Sequence, residues 1–378
     1  MLRWQKEQKM MNDNEPSKSF SIKKRHWIGT IIAILWGISL FFQPLILNFI
    51  SDIIQNIKNG ENLESYQCYG SPDSINQHDD AIGTLYVGEK FILSGSDDKL
   101  IKVWNKENGK LEYSLKYHSG SVQTLMLYGE KYIISGGNDN LIFIADLERE
   151  KVYKLKGHKA SVLSLTVKDN TIYSASSDGE ILIWDFHSRK LIKRIQAHGS
   201  TIYAITACNG YLLTASKDRT IAVWEIKTFE QRKRLSDHNK PVKALCSYDN
   251  NIFLSSGQDK NIMIWDAHSG NRIDHLKIDF RVGMNEFFIH NNLLFVGSGQ
   301  SERIYMFELN TDCTFASKEP SKIFTGDNDH ESIFVKGNCL YAGTIDGTIE
   351  VWHIDAEADK PTGTIKGGDL SKELCECQ

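Results

Sequence analysis

A regular alternation of apolar and polar residues runs through the chain after Lys58, interrupted at short intervals by turn-forming residues. Period-two alternation between such turns is typical of short, half-buried β-strands, and no helical periodicity competes with it. In the clearest stretch the pattern predicts four successive strands, over residues 161–167, 171–174, 181–184 and 191–196.

The same four-strand unit recurs along most of the chain. A histidine precedes successive units at intervals of 40 residues, at His78, His118, His158, His198 and His238. Seven copies, three of them less regular, fill residues 78–353. A unit of this size cannot bury its own apolar faces, so we expect neighbouring units to stack. The pattern therefore predicts an all-β array of seven units.

The residues that open and close each unit resemble those of the WD40-repeat family. Residues 157–158 are Gly-His and residues 183–185 are Ile-Trp-Asp, and the resemblance covers about three quarters of the chain. It implies a seven-bladed β-propeller with one four-stranded blade per repeat. The recurring polar sets are His78, Ser94, Asp98 and Trp104; His158, Ser174, Asp178 and Trp184; His198, Thr214, Asp218 and Trp224; and His238, Ser255, Asp259 and Trp265.

A serine, histidine and aspartate set would suggest a catalytic triad in another setting. Here the set is repeated, and the resemblance implies instead a buried hydrogen-bonded chain within each blade. Buried aspartate and histidine are stable only when their polar atoms are paired. We therefore expect Asp178→Ala to cost about 1–3 kcal/mol of stability.

Three repeats depart from the pattern. Blade 2 has Ala145 at the tryptophan position, and a segment at residues 310–320 is inserted after blade 6. In blade 6, Asp279 or Phe280 lies near the histidine position, Gly297 replaces the hydroxyl residue, Ser301 lies near the aspartate position and Phe307 replaces the tryptophan. In blade 7, Asp327 lies near the histidine position, whereas Asp346 and Trp352 are kept. We expect these two blades to be the least rigid, or the most adapted to a partner.

Ring closure leaves two alternatives open. The outer strand of the last blade could come from residues 64–69, before the first repeat, or from residues 363–366 in the C-terminal tail. Both segments have the length and the composition of a short strand, so the sequence does not decide between them.

An apolar segment without charged residues precedes the repeats. A membrane-spanning helix needs about 20 such residues. A buried core helix would show a polar face, and a cleaved signal peptide would have a shorter apolar region followed by small residues. We therefore predict an uncleaved transmembrane helix. The predicted organisation is a basic arm at 1–25, the helix at 26–50, a linker at 51–77, the propeller at 78–353 and a tail at 354–378.

Charge and small residues refine the prediction for this helix. Residues 1–25 carry seven Lys or Arg, whereas residues 51–70 carry Lys58 alone. This bias predicts an N-terminus on the cytoplasmic, matrix or stromal side and a propeller on the other, in a membrane that the sequence does not identify. Gly29, Ala33 and Gly37 lie on one helix face and would allow close packing of a second transmembrane helix.

Two surfaces are candidates for partner binding. In the WD40 family partners often contact the residue before each turn aspartate, and the matching residues are Asp97, Asn138, Ser177, Lys217 and Gln258. Basic residues recur on three adjacent outer strands and suggest an anionic lipid surface or an acidic partner, although solvated edge-strand charge is the simpler explanation. They are Lys154, Lys156, Lys190, Lys193, Arg194, Arg232, Lys233 and Arg234.

No catalytic, cofactor or metal motif occurs in the sequence, and Cys375 and Cys377 are too closely spaced for a zinc knuckle. The net charge of −4 divides into +4 over residues 1–25 and −8 after residue 50, which disfavours nucleic-acid binding. We expect a membrane-anchored, non-catalytic scaffold or adaptor for other proteins, without cofactor or metal. The alternatives are an accessory subunit of a membrane-embedded complex and, less favoured, a propeller enzyme.

Overall fold

The computed structural model describes residues 77–249, 251–278, 286–297, 301–355, 361 and 363–365. These residues form 28 β-strands in seven four-stranded antiparallel sheets, each with its strands in chain order. Each sheet is one blade, so the predicted all-β, seven-bladed propeller is confirmed.

The blades follow one another along the chain. Blades 1 to 3 are β1 (Ile82–Val87), β2 (Phe91–Ser96), β3 (Ile101–Asn105) and β4 (Leu111–Leu115); β5 (Val122–Tyr128), β6 (Tyr132–Gly137), β7 (Leu141–Asp146) and β8 (Lys151–Lys156); and β9 (Val162–Lys168), β10 (Thr171–Ser176), β11 (Glu180–Asp185) and β12 (Leu191–Gln196). Blades 4 and 5 are β13 (Ile202–Cys208), β14 (Tyr211–Ser216), β15 (Ile221–Glu225) and β16 (Gln231–Leu235); and β17 (Val242–Asp249), β18 (Ile252–Gly257), β19 (Asn261–Asp266) and β20 (Arg272–Lys277). Blades 6 and 7 are β21 (Glu286–His290), β22 (Leu293–Gly297), β23 (Arg303–Glu308) and β24 (Lys322–Thr325); and β25 (His330–Lys336), β26 (Cys339–Thr344), β27 (Ile349–His353) and β28 (Gly363–Ile365).

Burial within a blade explains the sequence pattern of each strand. In blade 3 the middle strands β10 and β11 are buried along nearly their whole length, whereas β12 is exposed at five of its six positions. Continuous apolar runs suit strands covered on both faces, and charged residues suit an outer edge. The four strands predicted for this blade are confirmed to within two residues at each end.

Seven hydrophobic clusters hold the ring together, and each joins two neighbouring blades. Between blades 3 and 4, for example, Tyr173 and Ile183 share a cluster with Ile205 and Trp224. Full burial of one such side chain contributes roughly 1.5–3 kcal/mol. Stacking therefore supplies the core that a single blade lacks.

The ring closes between blade 7 and blade 1. The tail segment 363–365 pairs with β27 as the outer strand of blade 7, and the alternative segment 64–69 lies outside the described residues. The Oγ of Ser332 donates a hydrogen bond to the carbonyl of Ile82 at 2.8 Å, and an apolar cluster joins the two blades. Closure thus depends on packing between two separate sheets.

The insertion at residues 310–320 lies inside blade 6. The prediction that it follows the blade is wrong, because the insertion connects β23 with β24. The outer strand of this blade, β24, has only four residues, which leaves a weak alternation in the sequence.

A left-handed residue follows the turn aspartate between the second and third strands. The positions are Lys99, Asn140, Gly179, Arg219, Lys260 and Gly347, with φ between 64° and 81°. At Gly179 an added Cβ would overlap the carbonyl oxygen of His198, at the start of the next repeat. Glycine is required there for both conformation and space.

The basic arm, the predicted transmembrane helix at 26–50 and its packing residues Gly29, Ala33 and Gly37 lie outside the described residues. In the part of the chain that the structure describes, none of the elements is an apolar helix of membrane-spanning length.

Candidate functional site

In blade 1 four side chains form a continuous hydrogen-bonded chain. The Nδ1 of His78 lies 2.7 Å from the carboxylate of Asp98, and its Nε2 lies 2.8 Å from the Oγ of Ser94. The indole N–H of Trp104 donates to the same Oγ at 2.8 Å, and Asp98 also accepts the backbone N–H of Leu100. These hydrogen bonds tie β2, β3 and their turn to the loop that precedes β1.

The same contacts recur in blades 2, 4 and 5, with histidine-to-aspartate and histidine-to-hydroxyl distances of 2.8 to 3.0 Å. Blade 2 has Ala145 in place of tryptophan, and the ring of Phe143 packs edge-on against His118 instead, with centroids 4.8 Å apart. The residues are His118, Ser135 and Asp139; His198, Thr214, Asp218 and Trp224; and His238, Ser255, Asp259 and Trp265.

Blade 3 departs from its predicted set. His158 lies 2.7 Å from the hydroxyl of Ser174, and Trp184 donates to that hydroxyl at 3.1 Å. The Nδ1 of His158, however, is buried without a hydrogen-bond partner among the described residues. The prediction that Asp178 completes the chain in this blade is therefore wrong.

In blade 3 the carboxylate of Asp178 bonds to backbone groups, among them the N–H of Lys159 at 3.2 Å. The carboxylate of Asp178 accepts the backbone N–H of Glu180 at 2.9 Å. Glu180 forms an ion pair with Arg194, whose guanidinium also donates to the carbonyl of Gly157 at 2.7 Å. The ion pair of Glu180 and Arg194 thus lies beside His158, with Glu180 buried and Arg194 exposed.

Among the described residues, one group has the side chains that could bind a metal ion, and it lies at this place in blade 3. Ligand atoms of His158, Asp178 and Glu180 lie within 4.8 Å of one another. The guanidinium of Arg194 already neutralises Glu180, and its positive charge repels a cation. The arrangement is that of a charge-paired network, which does not favour metal binding.

Blade 7 replaces the set with another buried pair. The Nε2 of His330 lies 3.0 Å from the carboxylate of Glu350, and each residue is 1% exposed. Glu350 also accepts the backbone N–H of Asp327, the residue that the repeat spacing placed near the histidine position. The pair fills the space beside Gly326, and the indole N–H of Trp352 has no partner within the described ranges.

Blade 6 has apolar residues where other blades have the polar set. Phe307, at the tryptophan position, is 1% exposed. Val296 takes the hydroxyl position, because it pairs with Tyr305 as Ser94 pairs with Lys102, so the prediction that Gly297 takes it is wrong. Ser301 accepts the backbone N–H of Arg303 at 3.1 Å. Asp279 and Phe280 lie outside the described residues.

Burial favours the neutral form of four of the network histidines, because it lowers their pKa. It lowers the pKa of His78, His198 and His238, although their aspartate partners act in the opposite direction. Burial lowers the pKa of His158 to about 4. For the aspartates burial acts to raise the pKa, but hydrogen bonds and the nearby histidine outweigh it and lower the pKa of Asp98, Asp139, Asp218 and Asp259.

These histidines are at most 9% exposed. A general base must reach the proton that it removes, and a buried ring within the blade cannot do so. The geometry therefore supports a structural role for the sets.

The residues predicted to contact partners occupy equivalent turns at one face of the ring, called here the turn face. In each turn the backbone N–H of the residue before the aspartate donates to the loop carbonyl before the first strand, at 2.9 to 3.0 Å. The donor and acceptor residues are Asp97 and Ala81, Asn138 and Ser121, Ser177 and Ser161, Lys217 and Thr201, Gln258 and Pro241, and Ile345 and Asp329.

Sequence reasoning missed a third set of positions on the turn face. The first strand of six blades has a register shift at its second residue. A β-bulge of this kind changes the direction of its side chain. The bulge residues are Gly83, Gln123, Leu163, Tyr203, Lys243 and Glu331. Five of them follow the buried Val or Ile that begins the strand, a signal that could have located them.

The predicted basic edge lies along β8, β12 and β16, with Lys190 just before β12. Much of its charge is used within the protein. Arg194 pairs with Glu180, Arg232 with Glu225 and Arg234 with Asp218, Lys233 donates to the carbonyl of Ser269, and Lys154 and Lys193 lie over the rings of Phe143 and Phe229. Lys156 and Lys190 are exposed.

Comparison with known proteins supports the repeat assignment. A family model described as WD domain, G-beta repeat matches residues 71–105, 149–185, 189–225 and 229–266. No curated protein matches the chain. The crystal structure of the computationally designed Ika8 protein is similar with a TM-score of 0.58 and 21% identity, over 74% of this chain and 98% of that one. That likeness concerns the fold alone.

Proposed function

Because the chain is a seven-bladed propeller that contains WD40 repeats, we propose that it is a membrane-anchored, non-catalytic scaffold for other proteins. Propellers of this kind are typically protein-interaction scaffolds. Fold alone does not determine function, so the proposal depends on how the polar residues are used.

One observation carries the proposal. In blades 1, 2, 4 and 5 the histidine and hydroxyl groups that could perform chemistry are buried, and the histidines are bonded to partly buried aspartates. The turn face, in contrast, presents exposed side chains on a rigid ring, including Asp97, Lys217 and Gln258. A surface of this kind suits binding better than catalysis.

Membrane anchoring is the second part of the proposal. It rests on the uncharged segment 26–50 and on the basic residues that precede it. The charge bias favours an N-terminus on the cytoplasmic, matrix or stromal side and a propeller across the membrane.

Proximity labelling from the C-terminal tail tests both parts together. A labelling enzyme fused after Gln378 should mark a reproducible set of proteins on the side of the membrane opposite the cytosol, matrix or stroma. A matched chain that lacks residues 26–50 should lose that set. Labelling of cytosolic proteins alone would contradict the orientation, and an unselective pattern would contradict the scaffold role.

A second candidate is an accessory subunit of a membrane-embedded complex, with the propeller as a peripheral arm. The spacing of Gly29, Ala33 and Gly37 favours it, because small residues permit close helix packing. Purification in mild detergent should then yield a stoichiometric complex that Gly29→Leu with Gly37→Leu disrupts. The control is Ile31→Ala with Leu35→Ala, at positions on the opposite face of the predicted helix. An enzyme remains the least favoured alternative.

A further inference from the structure

Charge differs from blade to blade at the repeated positions of the turn face. Among the turn, loop and bulge positions defined above, the charged residues fall into two groups. The acidic sector consists of Asp97, Asp329 and Glu331, in blades 1 and 7, and the basic sector consists of Lys217 and Lys243, in blades 4 and 5. The corresponding positions of blades 2 and 3 are neutral, as Asn138, Gln123, Ser177 and Leu163 illustrate.

The two sectors lie on opposite sides of the ring. Blades 7 and 1 are neighbours at the closure, and blades 4 and 5 come halfway around a ring whose blades follow chain order. Equivalent positions in a repeat face the same way, so both sectors belong to the turn face. Blades 2 and 3, which are neutral at the positions defined above, separate them on one side.

Within the acidic sector, charges of one sign are held together. Burial raises the pKa of Glu331, and the charges of Asp97 and Asp329 raise it further. Beside them Ile345 is 45% exposed, and its backbone N–H is bonded to the carbonyl of Asp329. A cationic side chain with a long apolar stem would relieve the repulsion and cover the isoleucine.

The basic sector shows the converse arrangement. The Nζ of Lys243 lies 3.6 Å from the ring centroid of Tyr203, a contact that fixes the ammonium group on the turn face. Burial lowers the pKa of Lys243, and the charge of Lys217 lowers it further. An anionic group placed between the two lysines would stabilise both.

We propose that the turn face binds an extended peptide segment of a partner protein, with a basic residue at one end and an acidic residue at the other. This inference rests on the proposed scaffold function and names its partner chemistry. The basic residue pairs with the acidic sector and packs on Ile345, the acidic residue pairs with the basic sector, and the neutral positions allow the chain between them to vary.

Fluorescence anisotropy with the full-length protein tests the proposal. The probe is a labelled peptide with Lys-Leu at one end, Glu-Glu at the other and about ten Gly and Ser residues between them, roughly 33 Å when extended. Two reference peptides of the same length carry Lys-Leu, or Glu-Glu, at both ends. We expect the bipolar peptide to bind about tenfold more tightly than either reference, as one additional close charge pair permits.

Matched variants assign the effect to the two sectors. Asp97→Asn with Glu331→Gln should weaken bipolar binding about tenfold and improve binding of the Glu-Glu reference, a gain that misfolding would not produce. Lys217→Gln with Lys243→Gln should also weaken bipolar binding about tenfold, but it should improve binding of the Lys-Leu reference. The control pairs Lys110→Gln with Glu230→Gln, exposed residues in the turns that precede β4 and β16.

Equal binding of all three peptides would overturn the inference. So would a control variant that loses as much affinity for the bipolar peptide as the two sector variants do. So would a concentration-dependent dimer that either sector variant abolishes, because the occupant would then be a second copy of the chain. The scaffold function would survive these results if proximity labelling still returned a selective set of proteins.

Discussion

At the scale of single residues, a contact with the turn aspartate pairs the buried Nδ1 of a network histidine. Asp98 lies 2.7 Å from the Nδ1 of His78, whereas the Nδ1 of His158 is unpaired within the described ranges. We expect Asp98→Ala to lower the free energy of unfolding by about 1–3 kcal/mol, because it leaves His78 with a desolvated polar atom. Asp178→Ala should cost less, since the native protein already bears that penalty at His158. Urea unfolding of both variants measures the difference, and equal losses would contradict this account.

The polar sets could be predicted from sequence where local spacing alone determines them. In blades 1, 4 and 5 the spacing of histidine, hydroxyl, aspartate and tryptophan was sufficient. It failed in blade 3, where Asp178 bonds to the backbone and leaves the Nδ1 of His158 unpaired among the described residues, and in blade 7, where His330 and Glu350 form a pair of their own. These contacts depend on how the side chains lie in space, which the repeat spacing does not encode.

At the scale of elements, the turn between the second and third strands is a rigid connection to the next repeat. Gly179 has a φ of 81°, and a Cβ there would overlap the carbonyl oxygen of His198. We expect Gly179→Ala to destabilise the protein by at least about 1–2 kcal/mol, the cost of a left-handed alanine alone. Gly199→Ala is the matched control, because a Cβ at that exposed position meets no atom within 4 Å. A similar fall in melting temperature for both variants would argue against this role of the turn.

Most strands could be predicted because period-two alternation is a local feature of the sequence. The pairing of the strand that closes the ring could not be predicted in this way. The insertion was misplaced because the four residues of β24 give too short a pattern to recognise. The closing strand was left open because two segments had similar composition, and only the pairing of β27 with β28 distinguishes them. Register across the closure is a long-range property, set by contacts between residues far apart in the chain.

At the scale of the whole molecule, ring closure should control cooperativity. Ile365 in β28 is 2% exposed and belongs to the cluster that joins blades 7 and 1. A chain that ends at residue 355 should therefore melt at a lower temperature and over a wider range than one that ends at residue 365. Loss of this one buried side chain removes roughly 1.5–3 kcal/mol. Calorimetry compares the two chains with the full-length protein, and identical transitions would show that β28 does not stabilise the closure.

Stability of the whole ring should also depend on pH through a carboxyl group between blades 6 and 7. Glu286 occupies an inner-strand position that other blades fill with small residues, such as Ser164 and Ala204, and it accepts the backbone N–H of Ile333 at 2.9 Å. Burial raises its pKa to about 8, from an ordinary value of 4.5. The unfolded chain therefore loses this proton at lower pH than the folded one, so the contribution of Glu286 to stability falls as pH rises from 4.5 to 8 and then levels off.

Glu286→Gln keeps an acceptor for the Ile333 N–H but carries no charge. Its melting temperature relative to the native protein should therefore rise steadily between pH 4.5 and 8 and stay constant above that range. Titration of the buried histidines is common to both proteins and cancels in the difference. Glu230→Gln, at an exposed turn, should show no such trend. A difference for Glu286→Gln that is constant with pH would mean that the carboxyl group is ionised in the folded ring, with the junction of blades 6 and 7 open to water.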